Sequence, residues 1–334
     1  MDIMNAKHLF LLVAVTIAVL LVSTPAARSA DAPATTNRIA RWLNGKSLPH
    51  LDVTQAETYV QQHQRRPEAL LAACQATTDR GFLREAMAKH PRDPRVGLAA
   101  ACSAATDPSN PSGAGEKRQW LDALKNSAPD NALAYYLSAR DHFKTGQPDL
   151  AEKEVLAGAG RPLRDYALDF IEGAQDAYLS VGYSEPEAAA LAMGSLLMPH
   201  LAQLRDVGTE LIKRANHYRQ GGDAAAANKM LHAAIRIGTQ LDRTNSLTLL
   251  ENLVGIAIQQ NGLKEMDPAV PFGKSGRTVQ AEADQLTQRR TDLRAIAGEF
   301  NKLFRQMSDK EIGDYFNQQK RVGEEMADRR ALAR

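Results

Sequence analysis

A stepped pattern of small, large and aromatic residues recurs through the middle of this chain, and few folds can accommodate it. Within "NALAYYLSARDHFKTGQPDLAEKEVLAGAGRP" (residues 131–162), Tyr135, Ala139, His142, Gly146, Ala151, Val155 and Gly158 are separated by 4, 3, 4, 5, 4 and 3 residues. The same steps return at Leu211, Ala215, Tyr218, Gly222, Ala227, Leu231 and Ala234. A degraded copy lies between them at Ile171, Gln175, Tyr178, Gly182, Glu187, Leu191 and Gly194, and a half copy follows at Gly255, Ile258 and Gly262. The turn glycines are therefore 36, 40 and 40 residues apart. Steps of three and four trace one helical face, and a glycine between two such faces supplies the turn that joins them. Self-similarity at this period predicts helical hairpins stacked on a shared core.

The rest of the 334-residue chain is punctuated in the same helical idiom. Hydrophobic residues are 44% but aromatics only 5%, and no clear alternating run is bounded by turn signals, so the expectation is all-α. Capping boxes are read at Thr54 with Glu57, Ser184 with Glu187, and Ser308 with Glu311. Pro67, Pro94, Pro129, Pro148, Pro162 and Pro199 begin or separate helices, because proline is tolerated only in a first turn. The low-complexity stretch 107–115 and the segment "MDPAVPFGKSG" (266–276) read as loops.

At this point the residues carry a family likeness. "AYYLSARDHFKTGQPDLAEKEVLAGAG" and "LIKRANHYRQGGDAAAANKMLHAA" resemble tetratricopeptide (TPR) repeats, with a large, a small and an aromatic residue, a turn glycine, then a small, large, small triplet. The likeness covers about 130 residues, 131–262, and departs from the pattern at Gln175 and Glu187, where the family places small residues. It implies a right-handed α-solenoid whose first helices line a concave groove. Counted from the turn glycines, that groove would present Tyr136, Arg140, Phe143 and Lys144, then Asp169, Glu172 and Asp176, then Ile212, Asn216 and Arg219. Asp165, Asp169, Glu172 and Asp176 step by 4, 3 and 4, so the row reads either as a solvated face or as an acidic floor for a segment carrying Lys or Arg.

The N-terminus points to export. Residues 9–22, "LFLLVAVTIAVLLV", follow Lys7 and precede "STPAARSA", the build of a secretory signal cleaved after Ser29 or Ala26. Fourteen apolar residues are short for a membrane span, so a membrane enters only as an uncleaved signal anchor. The domain reading is a signal at 1–29, a linker at 30–36, loosely repetitive hairpins at 37–128, TPR-like repeats at 129–265, the 266–276 loop, and a C-terminal helix and charged tail at 277–334. Forty-one basic residues against 39 acidic ones, interspersed, exclude binding that neutralises many phosphates, so nucleic acid is not an expected partner. An oxidising compartment leaves Cys74 and Cys102 two readings, a disulfide between equivalent helices or two buried thiols.

Apolar residues recur every seven from Val279 through Leu286, Leu293 and Phe300 to Met307, with a second seam that is polar early. That pattern suits a helix capping the open end of the array, or self-association through 277–334. Residues 309–334 have few apolar anchors and read as a tail that frays. The search for chemistry finds no paired metal histidines, no HExxH, and no GxSxG or SxxK nucleophile. "FGKSG" has Pro268 where a phosphate-binding loop needs glycine. No cofactor, metal or catalytic residue is therefore expected. The leading expectation is an exported, non-enzymatic adaptor or assembly factor in the periplasm (if the source is bacterial) or outside the cell, binding a protein or peptide. The alternatives are an oligomeric scaffold and an accessory domain acting on cell-envelope polymers.

Overall fold

The computed structural model describes residues 38–44, 48–104, 113–273 and 276–334, and the signal and linker read at 1–36 lie outside them. Among the described residues the chain is all-helical, with only an isolated antiparallel bridge between Pro271 and Thr278. In chain order the helices are α1 (Arg38–Asn44), α2 (Val53–Gln62), α3 (Pro67–Thr77), α4 (Arg80–Lys89), α5 (Pro94–Ala104), α6 (Gly113–Ser127), α7 (Ala132–Lys144) and α8 (Pro148–Gly158). They continue as α9 (Ala167–Ser180), α10 (Glu185–Gly194), α11 (Pro199–Gln220), α12 (Ala224–Leu241), α13 (Leu249–Leu263), α14 (Val279–Phe304), α15 (Asp309–Val322) and α16 (Glu324–Leu332).

Local chemistry sets these boundaries. Pro67, Pro148 and Pro199 stand at the first turn of α3, α8 and α11, where a missing N–H costs nothing. The Ser184–Glu187 and Ser308–Glu311 capping boxes are present, and Thr248–Glu251 forms another at α13. The expected Thr54–Glu57 box is displaced: Asp52 caps α2 with Gln55, which puts Thr54 inside the first turn. Glu57 instead receives Arg65, a residue held at φ 50° just past the helix. Three of the four glycines read as turns have positive φ, +71° at Gly146, +94° at Gly182 and +81° at Gly222. Gly262 is not a turn; it lies within α13, where an added Cβ would stand 2.7 Å from Ile235.

The helices gather into two compact units that interleave along the chain. Unit 1 takes the described residues up to Ala86, Ala167–Leu197 and Leu293–Arg334; unit 2 takes Met87–Tyr166 and Met198–Asp292. In unit 2, α5 packs on α6, α6 on α7, α7 on α8, and α7 also directly on α11, which pairs with α12 and α13. The two full-strength copies of the pattern are thus neighbours, and the degraded copy, α9 with α10, belongs to unit 1. There α9 packs on α2, α3 and α10, while α10 packs on α1 and α15.

The C-terminal residues depart most from expectation. Val279, Leu286, Leu293 and Phe300 are buried, as the seven-residue spacing predicts. Residues 309–334 do not form a loose tail: Ile312, Tyr315, Phe316 and Ala327 join Ile39, Leu43, Ala189, Ala190, Phe300 and Phe304 in the core of unit 1. Ring centroids of Phe300, Phe304, Tyr315 and Phe316 lie 4.3–6.5 Å apart in stacked, tilted and edge-on pairs, each worth about 1 kcal/mol beyond area burial. A few large aromatics carry what charge density along 309–334 concealed.

Candidate functional site

The residues read as groove-lining in unit 2 divide into buried and accessible sets. Tyr136 faces inward rather than into a groove: it is 1% exposed, its ring packs where Gly158 leaves room, and its hydroxyl donates to Gln240 Oε1 at 2.9 Å. The neighbouring Tyr135, expected in the packing face, is the half-buried one, with the Arg161 guanidinium 4.5 Å from its ring centroid. Arg140 is held by Asp206 of α11 at 2.8 Å and by Gln203, so it ties α7 to α11. Phe143, Ile212 and Asn216 are half-buried, and Lys144 and Arg219 are exposed. Arg219 donates to Asn216 Oδ1 at 2.8 Å and to the Glu265 carbonyl at 2.6 Å.

The acidic row is shorter than its spacing suggests. Helix α9 begins at Ala167, so Asp165 lies ahead of it, within unit 2, and only Asp169, Glu172 and Asp176 share the helical face. Those three are exposed, yet unit 1 supplies partners of its own. Asp176 Oδ2 accepts from the hydroxyl of Tyr59 on α2 at 3.0 Å and stands 3.3 Å from Nε2 of His63, which caps that helix. Burial, and then the Asp176 charge, raise the Tyr59 hydroxyl well above its ordinary pKa. Lys320 of α15 donates to Gln175 at 2.6 Å and is drawn by the Glu172 charge, although burial lowers its pKa. Asp169, Glu172 and Asp176 belong to unit 1 and the seven α7 and α11 candidates to unit 2, so they do not form one row within either unit.

Sequence reasoning missed the buried polar groups. Lys117 of α6 has its ammonium 3.4 Å from Asp141 of α7, and burial lowers its pKa. Asp141 also faces Arg118 at 3.5 Å, and Arg118 donates to Ser138 Oγ at 2.7 Å. In unit 1, Tyr315 donates to Asp328 Oδ1 at 2.7 Å, while Oδ2 of the same carboxyl is buried without a hydrogen-bond partner. In unit 2, His200, Asp165 and Glu251 lie together, with His200 Nε2 3.5 Å from Asp165 Oδ2. One signal was available: Glu251 stands in the first turn of the strongly apolar helix α13, where a titratable residue needs a local reason.

Both cysteines are free thiols. The disulfide reading supposed equivalent helices of adjacent hairpins, but Cys74 is on α3, which pairs with α2 and α9 in unit 1, and Cys102 is on α5, which pairs with α6 in unit 2. Burial pushes Cys74 up to about 11 and Cys102 up to about 12, which suppresses the thiolate each would need to react. Among the described residues no group of three or more His, Cys, Asp or Glu side chains could hold a metal ion, and no helix is long and apolar enough to cross a membrane. Comparison with protein-family models, with curated proteins and with solved structures finds no match.

Proposed function

We propose that this chain is an exported helical-repeat interaction protein that binds an extended peptide or protein segment through unit 2, without catalysing a reaction. The observation that carries the reading is the pairing of α7/α8 with α11/α12. Both hairpins bury the same three pattern positions, Ala139, Ala151 and Val155 in one and Ala215, Ala227 and Leu231 in the other. Both turn at a glycine with positive φ, and their first helices pack side by side. That packing supports a TPR-like reading of these two hairpins, which are neighbours within unit 2 although α9 and α10 lie between them in the chain.

The partner-facing residues that support the reading are Phe143, Lys144, Asn216 and Arg219, near the C-terminal ends of α7 and α11. The exposed Lys144 next to half-buried Phe143 on α7, with exposed Arg219 on α11, suits an extended segment with acidic side chains, held by charge-assisted hydrogen bonds and one apolar anchor. The scaffold alternative has less support, because Val279, Leu286, Leu293 and Phe300 are buried within the chain and leave no apolar seam at those positions. Panning the full chain against displayed extended peptides tests the proposal. Acidic segments should be selected, and the triple variant F143A/K144E/R219E should bind them at least about tenfold more weakly at an unchanged Tm. Equal binding by the variant overturns it. Export is tested separately, by the mass of the chain recovered from its native compartment, which should lack residues 1–29 or 1–26.

A further inference from the structure

Three titratable side chains are sequestered in unit 2, each on a different segment. Asp165 lies just ahead of α9, His200 in the first turn of α11, and Glu251 in the first turn of α13. His200 and Glu251 are 4% and 2% exposed. His200 Nε2, 3.5 Å from Asp165 Oδ2, is buried with no hydrogen-bond partner. Glu251 Oε1 accepts both the Thr248 amide and the Thr248 hydroxyl at 3.1 Å. Burying a carboxyl group beside an imidazole nitrogen that has no hydrogen-bond partner is costly unless the charge on them is controlled.

The position of the cluster gives it a consequence. Unit 2 ends at Tyr166 and resumes at Met198, so Asp165 and His200 sit on the segments by which the chain leaves and re-enters the unit. The exit segment is pinned by Asn131, which donates to the Arg164 carbonyl at 2.7 Å and accepts from the Arg164 amide at 3.0 Å. Tyr166 follows at φ 57°, a left-handed conformation that a non-glycine residue adopts only when its surroundings impose it. The re-entry segment touches α13 where the Thr248 hydroxyl lies 3.7 Å from Met198 Sδ. Charges on the neighbouring segments are engaged with other partners. Asp242, at the end of α12, is held by Arg289 of α14 at 2.8 Å and by Asn252 of α13 at 3.1 Å, and Arg164 stands 3.3 Å from Asp130.

We propose that Asp165, His200 and Glu251 form a proton-operated clasp: it holds the exit segment 159–166 and the re-entry segment 198–200 to the start of α13 while Glu251 is neutral, and loosens them when Glu251 ionises. Burial first, and the Asp165 charge second, push the Glu251 carboxyl up to about 7, with His200 opposing. A carboxyl whose folded pKa is raised gives stability that is complete below its ordinary value near 4.5 and is lost as pH rises towards 7. Above that range the buried Glu251 carboxylate lies near the half-buried Asp165 carboxylate, and the clasp is at its weakest.

Hydrogen exchange of the full chain, corrected for intrinsic exchange rates, tests the clasp. Protection of amides in 159–166 and 198–202 should fall roughly fiftyfold between pH 5 and pH 8 in the wild type. In Glu251→Gln, which keeps the capping oxygen but cannot ionise, it should change by no more than about twofold. Identical pH profiles for the two chains overturn the proposal. Should the variant fail to fold, carboxyl ¹³C NMR of wild-type Glu251 decides: a midpoint near 7 supports the clasp and one near 4.5 overturns it.

Discussion

The closest helix crossing in unit 2 offers the sharpest test of how this fold is held. Where α12 meets α13, Gly238 and Gly255 face each other, and a Cβ built on Gly255 would stand 2.5 Å from the Gly238 carbonyl oxygen, 2.8 Å from the Asp242 nitrogen and 2.9 Å from Leu241 Cβ. An ordinary carbon-to-oxygen contact is about 3.3–3.6 Å, so Gly255→Ala must drive the two backbones apart by roughly 1 Å. No rotamer change relieves the contact, because two of the three atoms are backbone. A gap of that size forfeits about a quarter to a half of the dispersion energy of the flanking contacts, which include the fully buried Leu241 and Ile256. Overpacking typically costs about 1–3 kcal/mol, and this site belongs near the top of that range. Alanine's higher helix propensity returns about 1 kcal/mol, leaving a net loss of about 2 kcal/mol. For a chain of 334 residues, with an unfolding entropy of about 2.1 cal/mol/K per residue, that lowers Tm by about 3 °C, measured by calorimetry or circular dichroism. Gly298→Ala is the control, since Gly298 is also inside a helix but has nothing within 4 Å of an added Cβ. It should gain up to about 1 kcal/mol by the same propensity. If Gly255→Ala proves as stable as Gly298→Ala, the crossing is not close-packed and the reasoning fails.

Two further outcomes follow from buried ionisable groups. Burial, reinforced by Glu324, pushes the Asp328 carboxyl up to about 8, so its share of stability is complete below about 4 and lost as pH rises towards 8. Asp328→Asn should therefore flatten the fall in Tm above pH 4, a difference of about 4 kcal/mol by pH 7, and parallel curves for the two proteins would refute the assignment. The thiols should be inert: a disulfide-exchange reagent at pH 8 should label neither cysteine at an appreciable rate in the native chain and both after denaturation, whereas fast labelling of native Cys102 would contradict its burial.

What could be read from the residues alone follows the range of the interactions involved. Three of the four turn glycines, the proline starts and two of three capping boxes are set within four or five residues, and the structure has them where the spacing places them. The seven-residue seam through Val279 and Phe300 was equally legible, because it needs only one helix to have one buried face. Which tyrosine of the pair 135 and 136 turns inward was not legible. Adjacent helical positions differ by about 100°, and the choice rests on Gly158 and Gln240, which lie 22 and 104 residues beyond Tyr136. The acidic row failed for a related reason: its spacing fits a helix, but the chain at Asp165 is still in the connector, and its side chain is spent on His200.

The degraded repeat shows how such non-local choices leave a trace in the sequence. Gln175 and Glu187 occupy positions where the two strong copies carry alanine, at 139 and 151 in one and at 215 and 227 in the other. Each of those alanines is at most 1% exposed, so a long polar side chain in the same place could not be buried without a partner. Unit 1 supplies the partners: Lys320 of α15 donates to Gln175, and Arg38 of α1 pairs with Glu187, which also caps α10 through Ser184. The contacts run through polar ends with apolar packing beside them, since Gly313 of α15 lies against Pro186 and Ala189 and Ala190 enter the aromatic core. The two departures from the repeat pattern are therefore the positions at which α9 and α10 engage α1 and α15. A sequence that weakens its own repeat at two positions, with hydrogen-bonding side chains in both, specifies a hairpin that joins different neighbours.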